Sequence, residues 1–284
     1  MKKIAIVEIK GGLGNQIFQY TFSQYLKKMG FRVFYNLNFY KNKNKLNYRN
    51  TKRELLLNEL NCDIKNINRI WIYICSFLNF LINSRKIKKY FPIINTYMFK
   101  YFKERDFDKN KVINDYALIN YFDGYWQMID YLISEKRELR NKFDLKFSSE
   151  IEKNKPPLMI HIRRGDYLKL GIELPIEYYI KALSLLNSEA GNLKYDIFTD
   201  DKDWVLKQNI FNNYENVYTD INDPVSTFKQ MMNYEHFIIA NSTYSFLAAF
   251  FGEKNNSKVY TPFIWNKNKG SDFLVNSSWE RVKI

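Results

Sequence analysis

The chain has 284 residues, a formal net charge of +14, 46% hydrophobic and 18% aromatic residues, and only two cysteines. This composition excludes a disordered chain and a disulfide scaffold, and the length suits one large domain or two of ordinary size. Cys62 and Cys75 form no zinc-binding spacing, so we expect no metal site and regard both as small buried apolar residues. No membrane-spanning run or signal peptide is recognisable, which predicts a cytoplasmic protein.

The positive charge has several candidate explanations. A basic face suits nucleic acid, anionic membrane lipid or a negatively charged nucleotide substrate. For most of the charge we favour a simpler explanation, a lysine- and asparagine-rich composition with solvated lysines. The sequence has no RNA-binding motif and its aromatic residues fall mostly at core spacing, so we expect no specific nucleic-acid partner. A basic nucleic-acid-binding protein is kept as the alternative from another functional class.

The first residues predict a β-α-β unit with a glycine-rich first turn. Residues 3–9 form an apolar strand, a helix with apolar residues at helical spacing follows residue 16, and residues 31–35 form a second strand. The turn between the first strand and the helix runs from Gly11 to Gln16. Glycines allow a ligand to approach the backbone, and a helix start offers free N–H groups to an anion. The spacing differs from GxGxxG, so a plain tight turn is the alternative.

Residues 70–82 are almost entirely apolar and are followed by a basic cluster with Arg85, Lys86, Lys88 and Lys89. Such a stretch is too short to span a bilayer. It predicts a core helix, with peripheral contact to an anionic membrane as the alternative.

A strand over 116–122 is expected to end at Asp123, and the Gly-Tyr-Trp-Gln run at 124–127 fits either a sugar-binding wall or a packed turn. Residues 128–142 predict a surface helix. The polar stretch 144–157 ends in two prolines, and we place a domain boundary there, which gives domains 1–150 and 151–284.

The second half alternates strands and helices, as a parallel sheet requires. The predicted strands are 158–163, 195–199, 216–220, 237–240 and 257–260. The predicted helices are 176–188, 203–209, 224–234 and 246–251, and a loop leads to Pro175.

Three of these strands end in polar residues that fall at one edge of the sheet. The three groups are His161, Arg163, Arg164 and Asp166; Thr199, Asp200 and Asp201; and Asn241, Ser242, Thr243 and Ser245. Guanidiniums suit phosphates, a carboxylate suits the N–H edge of a base, and hydroxyls at a helix start suit an anion, so together they predict a nucleotide-diphosphate pocket. The alternatives are an Asp166–Arg164 ion pair and simple helix N-caps.

Five runs carry a resemblance to a known family. They are GGLGNQIFQY at 11–20, GYWQ at 124–127, HIRRGDY at 161–167, FTDD at 198–201 and NSTYSFLAA at 241–249. In their order they resemble the motifs of the α-1,2-fucosyltransferases, from residue 3 to about 262. One departure is the run Thr243 to Leu247, where family members often carry Ser-Phe-Ser-Trp-Trp.

The resemblance implies an α/β protein of GT-B type, with two Rossmann-like domains facing across a cleft. It implies transfer of L-fucose from GDP-β-L-fucose, with inversion and without a metal or further cofactor, to a galactose 2-hydroxyl. A surface polysaccharide such as O-antigen, or a lipid-linked oligosaccharide, is the expected acceptor. In the latter case residues 70–91 would lie on the inner membrane face.

The resemblance also implies roles for single residues. Arg163 would grip the β-phosphate bidentately, His161 with Asp200 or Asp201 would meet guanine, and Arg164 and Asp166 would hold the turn. The residues expected to contact the GDP-sugar are Gly12, Gly14, Asn15, Gln16, His161, Arg163, Arg164, Asp200, Asp201, Ser242, Thr243 and Ser245.

For the base that deprotonates the acceptor, Glu8, Asp123 and Glu173 are alternatives. Asp123 ranks first because it ends a strand in an aromatic setting. The catalytic candidates are therefore Arg163, Asp166 and Asp123.

Overall fold

The computed structural model describes residues 2–41, 53–83, 97–107, 113–143, 156–219, 223–266, 269–270, 274 and 276–284. The chain divides into two compact units, Met1–Glu135 and Lys136–Ile284. The boundary expected at residue 150 falls among residues 144–155, which lie outside the described part.

The first unit is a four-stranded parallel sheet with helices. Its elements are β1 (Ile4–Glu8), α1 (Leu13–Lys28), β2 (Arg32–Asn36), α2 (Asn38–Lys41), α3 (Arg69–Asn83), β3 (Phe99–Lys103), β4 (Ile119–Asp123) and the start of α4 (Ile129–Lys142). The strand order is β2-β1-β4-β3, which makes β1 and β4 the inner strands. The middle residues of β1 are buried because β1 is an inner strand and helices cover the sheet, as where Ile6 packs against Ile72 and Cys75. The predicted β-α-β start is confirmed.

Two helices of this unit pack in different ways. Helix α1 is buried from Leu13 to Ser23 on nearly all sides, so it is a core element. Helix α3 packs Ile72 and Cys75 into a cluster with Phe99 and Tyr121. The core interpretation of residues 70–82 thus holds for one side of α3 only.

The second unit is a six-stranded sheet whose strands are all parallel. Its elements are β5 (Leu158–Ile162), α5 (Gly165–Leu170), α6 (Ile176–Ala190), β6 (Tyr195–Thr199), α7 (Lys202–Leu206), β7 (Tyr214–Thr219), α8 (Pro224–Met231), β8 (His236–Ile238), α9 (Thr243–Gly252), β9 (Val259–Pro262), a short hairpin of β10 (Ile264–Asn266) and β11 (Lys269–Gly270), and β12 (Glu280–Val282). The predicted strands are confirmed, with ends shifted by a few residues. The loop predicted before Pro175 is wrong in part, because α5 forms there.

The order of strands in the second unit, β12-β9-β8-β5-β6-β7, creates a switch point. The chain runs outward from β5 through β6 to β7, returns to β8 on the other side of β5, and continues outward to β9. In open parallel sheets of this kind, ligands bind in the crevice outside the carboxyl ends of the strands at that point. Here the crevice lies beyond the ends of β5 and β8.

In the described part of the chain, no helix has both the length and the apolar character to cross a membrane. Cys62 and Cys75 are both buried thiols, as predicted.

Candidate functional site

The turn that follows β5 holds Arg163 at the switch point between two carboxylates. Its Nη2 lies 2.8 Å from Asp166 Oδ1, its Nε donates to the same oxygen at 3.2 Å, and its Nη1 lies 2.9 Å from Asp200 Oδ2. Both carboxylates are largely buried. The guanidinium is therefore fixed in one plane before any ligand arrives, which is how preorganised charge is built in proteins.

The next residue, Arg164, is fixed by separate contacts. Its backbone N–H donates to Asp200 Oδ1 at 2.8 Å, its Nε donates to Asp201 Oδ2 at 3.1 Å, and its guanidinium lies 3.9 Å from the centre of the Trp204 ring. A Cβ at position 165 would lie 2.7 Å from Asp200 Oδ2, so glycine there leaves room for this carboxylate. Asp200 thus braces two successive residues of the turn, Arg163 and Arg164. The sequence reasoning gave it a guanine contact and missed this bracing.

Two predicted residues of this unit have evident structural roles. Asp201 is the N-cap of α7, since its Oδ1 accepts from Trp204 N at 3.2 Å, and the N-cap alternative is confirmed. Asp166 holds Arg163, whereas the ion-pair alternative joined it to Arg164. His161 is buried within β5, with its ring 6.2 Å from that of Tyr244. The guanine contacts stay predictions.

The carboxyl end of β8 brings a helix start beside the arginine turn. Helix α9 begins at Thr243, not at the predicted residue 246, and Ser242 is its N-cap. Within the described residues the Ser242 side chain forms no capping hydrogen bond, while Ser245 Oγ donates to Ser242 O at 3.3 Å. Asn241 Nδ2 donates to Ile172 O and Trp265 O at 2.7 and 2.8 Å. Asn241 therefore positions the start of α9, where N–H groups favour an anion.

In the first unit, the carboxyl ends of β1 and β4 bring together two acids and a lysine. Lys10 Nζ lies 3.4 Å from Glu8 Oε2 and also bonds Asp123 Oδ1, and Tyr101 donates to Asp123 Oδ2 at 2.8 Å. Glu173, the third candidate base, lies in the α5–α6 loop of the second unit. Lys10 and Tyr101 were not predicted, and only their spatial position reveals their role.

The two carboxyl groups of this cluster differ in proton affinity. Burial raises the pKa of Glu8, and the attraction of Lys10 offsets this only in part. Burial alone would also raise the pKa of Asp123, but the hydrogen bonds from Lys10 and Tyr101 outweigh it and lower the pKa. For Lys10, burial is outweighed by the charge of Glu8 and the bond to Asp123, so its pKa rises. Relative to the free side chains, the cluster thus favours the charged forms of Asp123 and Lys10, through a lowered and a raised pKa, and the protonated form of Glu8, through a raised pKa.

The glycine-rich turn of the first unit is braced by buried amides. Gln16 Nε2 donates to Gly11 O at 3.2 Å and Glu54 O at 2.8 Å, and Gln16 Oε1 accepts from Leu56 N at 2.9 Å. These bonds give Gln16 a positioning role. Asn15 Oδ1 accepts from Gln127 Nε2 at 2.9 Å. Gly12 is the N-cap of α1, and Gly14 lies buried in its first turn.

The run at 124–127 is a packed turn held by Glu104. The two carboxylate oxygens of Glu104 accept hydrogen bonds from Tyr125 N at 2.9 Å and Gln127 N at 3.1 Å. A Cβ on Gly124 would lie 2.5 Å from the Glu104 Cβ. Trp126 is fully buried and its ring centre lies 4.0 Å from that of Phe22. Only Tyr125 among these aromatic residues is exposed enough to meet a ligand.

The structure places the predicted residues in two groups. Arg163, Arg164, Asp166, Asp200 and Asp201 form one cluster at the switch point, beside the start of α9 with Ser242, Thr243 and Ser245. Gly12, Gly14, Asn15, Gln16 and Asp123 belong to the first unit. Within the described residues, no three His, Cys, Asp or Glu side chains are grouped so as to hold a metal ion.

A parallel sheet with this strand order and a braced basic turn at its switch point defines a Rossmann-like, ligand-binding α/β protein. The model of glycosyl transferase family 11 matches residues 4–279, and the chain belongs to that family. It is a glycosyltransferase, which decides against the nucleic-acid-binding alternative.

Two similar proteins come from Escherichia coli. An α-1,2-colitosyltransferase is 29% identical, over 92% of this chain and 92% of its own length, and the O-antigen biosynthesis glycosyltransferase WbnK is 28% identical, over 95% and 98%. Among solved structures, a mutant of Arabidopsis thaliana FUT1 in complex with GDP matches with a TM-score of 0.50 at 10% identity, over 92% of this chain and 70% of that one. The predicted family and the Rossmann-like α/β fold class are confirmed.

Proposed function

We propose that the chain transfers L-fucose from GDP-β-L-fucose to the 2-hydroxyl of a galactoside, with inversion and without a metal ion. The observation that carries this proposal is the Arg163 guanidinium held by Asp166 and Asp200 at the switch point of a parallel sheet. Family membership supports the reaction class. The names of the two Escherichia coli relatives support an α-1,2 linkage and a role in O-antigen synthesis.

In this reaction the acceptor oxygen attacks the sugar C1 as the bond from C1 to the β-phosphate oxygen breaks. GDP leaves with the bonding electrons, so negative charge grows on the phosphate oxygen in the transition state. Arg163 and the N–H groups at the start of α9 stabilise that charge more than the charge of bound donor, which is the condition for catalysis. Asp166 and Asp200 act through Arg163 and are positioning residues.

The remaining contacts of the donor are assigned to polar residues near Arg163. Nη2 and Nη1 of Arg163 each carry a second N–H besides the one that bonds Asp166 or Asp200, and we assign the bidentate grip on the β-phosphate to this end-on pair. Ser242, Thr243 and Ser245 add hydroxyls near the phosphates. His161 with Asp200 or Asp201 is assigned to guanine, and both oxygens of each aspartate also accept hydrogen bonds within the unit.

We assign Asp123 as the base that accepts the proton of the acceptor hydroxyl. Lys10 and Tyr101 hold this carboxylate ionised, so it is ready to accept a proton at neutral pH. Glu8, whose pKa is raised, is the alternative proton acceptor and the stronger base of the two. Comparing Asp123→Asn with Glu8→Gln separates these assignments.

A second donor has a specific observation in its favour, the name of the colitosyltransferase relative. Colitose is L-fucose without its 3-hydroxyl, so a pocket that binds one sugar needs little change to bind the other. The test is a panel in which GDP-fucose, GDP-colitose and UDP-galactose are each offered with a set of β-galactosides. Preferred turnover of GDP-fucose supports the first proposal, and preferred turnover of GDP-colitose replaces it with the second. If no GDP-sugar is bound or hydrolysed, both fail.

A further inference from the structure

Helix α3 has two apolar sides, and only one of them packs against its own unit. The buried side carries Ile72 and Cys75. The other side exposes large apolar side chains, namely Ile70, Trp71, Tyr73, Ile74, Phe77 and Phe80. Such a contiguous exposed stripe on a folded chain marks a surface that binds something.

The dimensions of α3 exclude a spanning role and suit a surface role. Its 15 residues give a helix about 22 Å long, shorter than the roughly 30 Å of a hydrocarbon core. The exposed stripe is rich in Trp, Tyr and Phe, the side chains that favour the boundary between headgroups and acyl chains. A helix of this type lies in the plane of a membrane with its apolar side inward.

The charge of the sequence around α3 indicates which partner binds its exposed side. The sequence from residue 64 to residue 103 contains no Asp or Glu. Its basic residues are Lys65, Arg69, Arg85, Lys86, Lys88, Lys89, Lys100 and Lys103. Lys65 and Arg69, which lie just before and at the start of α3, are exposed. A second copy of the chain would bring a like-charged region against this one, whereas anionic lipid headgroups neutralise it.

We propose that the exposed side of α3 docks the protein onto an anionic phospholipid surface. Aromatic and aliphatic side chains of α3 enter the headgroup boundary, and Lys65 and Arg69 contact the lipid phosphates. The proposal does not depend on the identity of the sugar donor, because it concerns a surface of the first unit distinct from the arginine turn.

The test is co-sedimentation of the full chain with vesicles of phosphatidylcholine, alone or with roughly one-third phosphatidylglycerol. The double variant Phe77→Ser/Phe80→Ser removes two exposed rings, which are 60% and 61% exposed. The control Ile133→Ser/Leu206→Ser removes two apolar side chains of similar exposure, 61% and 51%, on other helices. Circular dichroism and the thermal unfolding temperature verify that both variants fold.

We expect the wild type and the control to bind the anionic vesicles, more weakly at high salt, and to bind pure phosphatidylcholine poorly. The α3 variant should bind the anionic vesicles at least ~10-fold more weakly, because two aromatic anchors are lost. Equal vesicle binding by the α3 variant and the control overturns the proposal. So does sedimentation of the wild type as a dimer that only the α3 variant disrupts, since the occupant is then a second copy.

Discussion

The carboxyl edges of the two parallel sheets are built from the same kinds of residue arranged in opposite ways. In the second unit, carboxylates of Asp166 and Asp200 hold the guanidinium of Arg163 in place. In the first unit, Lys10 and the Tyr101 hydroxyl hold the carboxylate of Asp123 in place. One edge therefore holds a guanidinium in place for a leaving phosphate, and the other holds a carboxylate in place for a proton. The chemistry of each edge depends on whether its neighbours hold a cation or an anion in place.

The largest expected effect comes from changing the braced cation itself. Arg163→Lys keeps the charge but loses the planar fork that contacts both carboxylates and, in the proposed reaction, the phosphate. We expect kcat to fall by about 10²–10³, the effect of losing one preorganised contact to a developing oxyanion. Arg32→Lys on the exposed edge of β2 is the matched control and should turn over like wild type. Wild-type turnover by Arg163→Lys would remove Arg163 from the mechanism.

The next largest effect is expected from Asp123, the carboxylate that Lys10 and Tyr101 hold in the first unit. Asp123→Asn cannot accept a proton, so kcat should fall by about 10². Asp130→Asn, on the exposed side of α4, is the control and should be unchanged. Steady-state kinetics with a saturating acceptor measure both. Should Glu8→Gln show the larger loss instead, the base is Glu8 and the assignment of Asp123 is wrong.

A smaller effect is expected from the brace behind Arg163. Asp200→Asn keeps the shape of the side chain but loses its charge, so the guanidinium is held less firmly. We expect about a tenfold loss in kcat, since a small misplacement of a catalytic group weakens catalysis. Asp203→Asn, three residues further on and exposed, is the control. If Asp200 acts by positioning Arg163, Asp200→Asn should lower kcat by the same factor with shorter, weakly bound donor analogues as with the full donor. An unchanged kcat for Asp200→Asn rules this role out.

The smallest effect is a pH-dependent change in stability at Glu8. Because its pKa is raised in the folded state, Glu8 contributes stability below the ordinary glutamate pKa of about 4.3, and this is lost as the pH rises through the folded value. Glu8→Gln does not titrate and loses nothing. In urea unfolding, the stability of the variant relative to wild type should therefore be greater at pH 8 than at pH 4. The opposite slope would contradict the raised pKa.

Local patterns in the sequence predicted the strands and the arginine turn well. The buried run of β5 ends at Arg-Arg-Gly-Asp, and both the strand and the polar end are visible within ten residues. Helix α5 was missed because six residues, Gly165–Leu170, are too few to display a helical period. Strand β3 was missed because Phe99–Lys103 mixes aromatic residues with lysines.

Contacts between distant residues could not be predicted. Asp200 braces a turn that lies 36 residues earlier, and Lys10 meets Asp123 across 113 residues. The spacing of apolar residues along the chain does not predict such pairs, because they depend on the order of strands in each sheet. Likewise, an apolar helix such as α3 does not reveal from sequence which of its sides packs inward.

The most direct test of the central claim is the release of GDP and the linkage of the product when GDP-β-L-fucose and a β-galactoside are supplied. We predict that wild type releases GDP, forms an α-1,2-linked fucoside identified by NMR, and keeps its rate when a chelator is added. The Arg163→Lys variant should form that product about 10²–10³ times more slowly. Failure of the wild-type protein to bind or turn over GDP-fucose, or loss of activity with the chelator, would contradict the account.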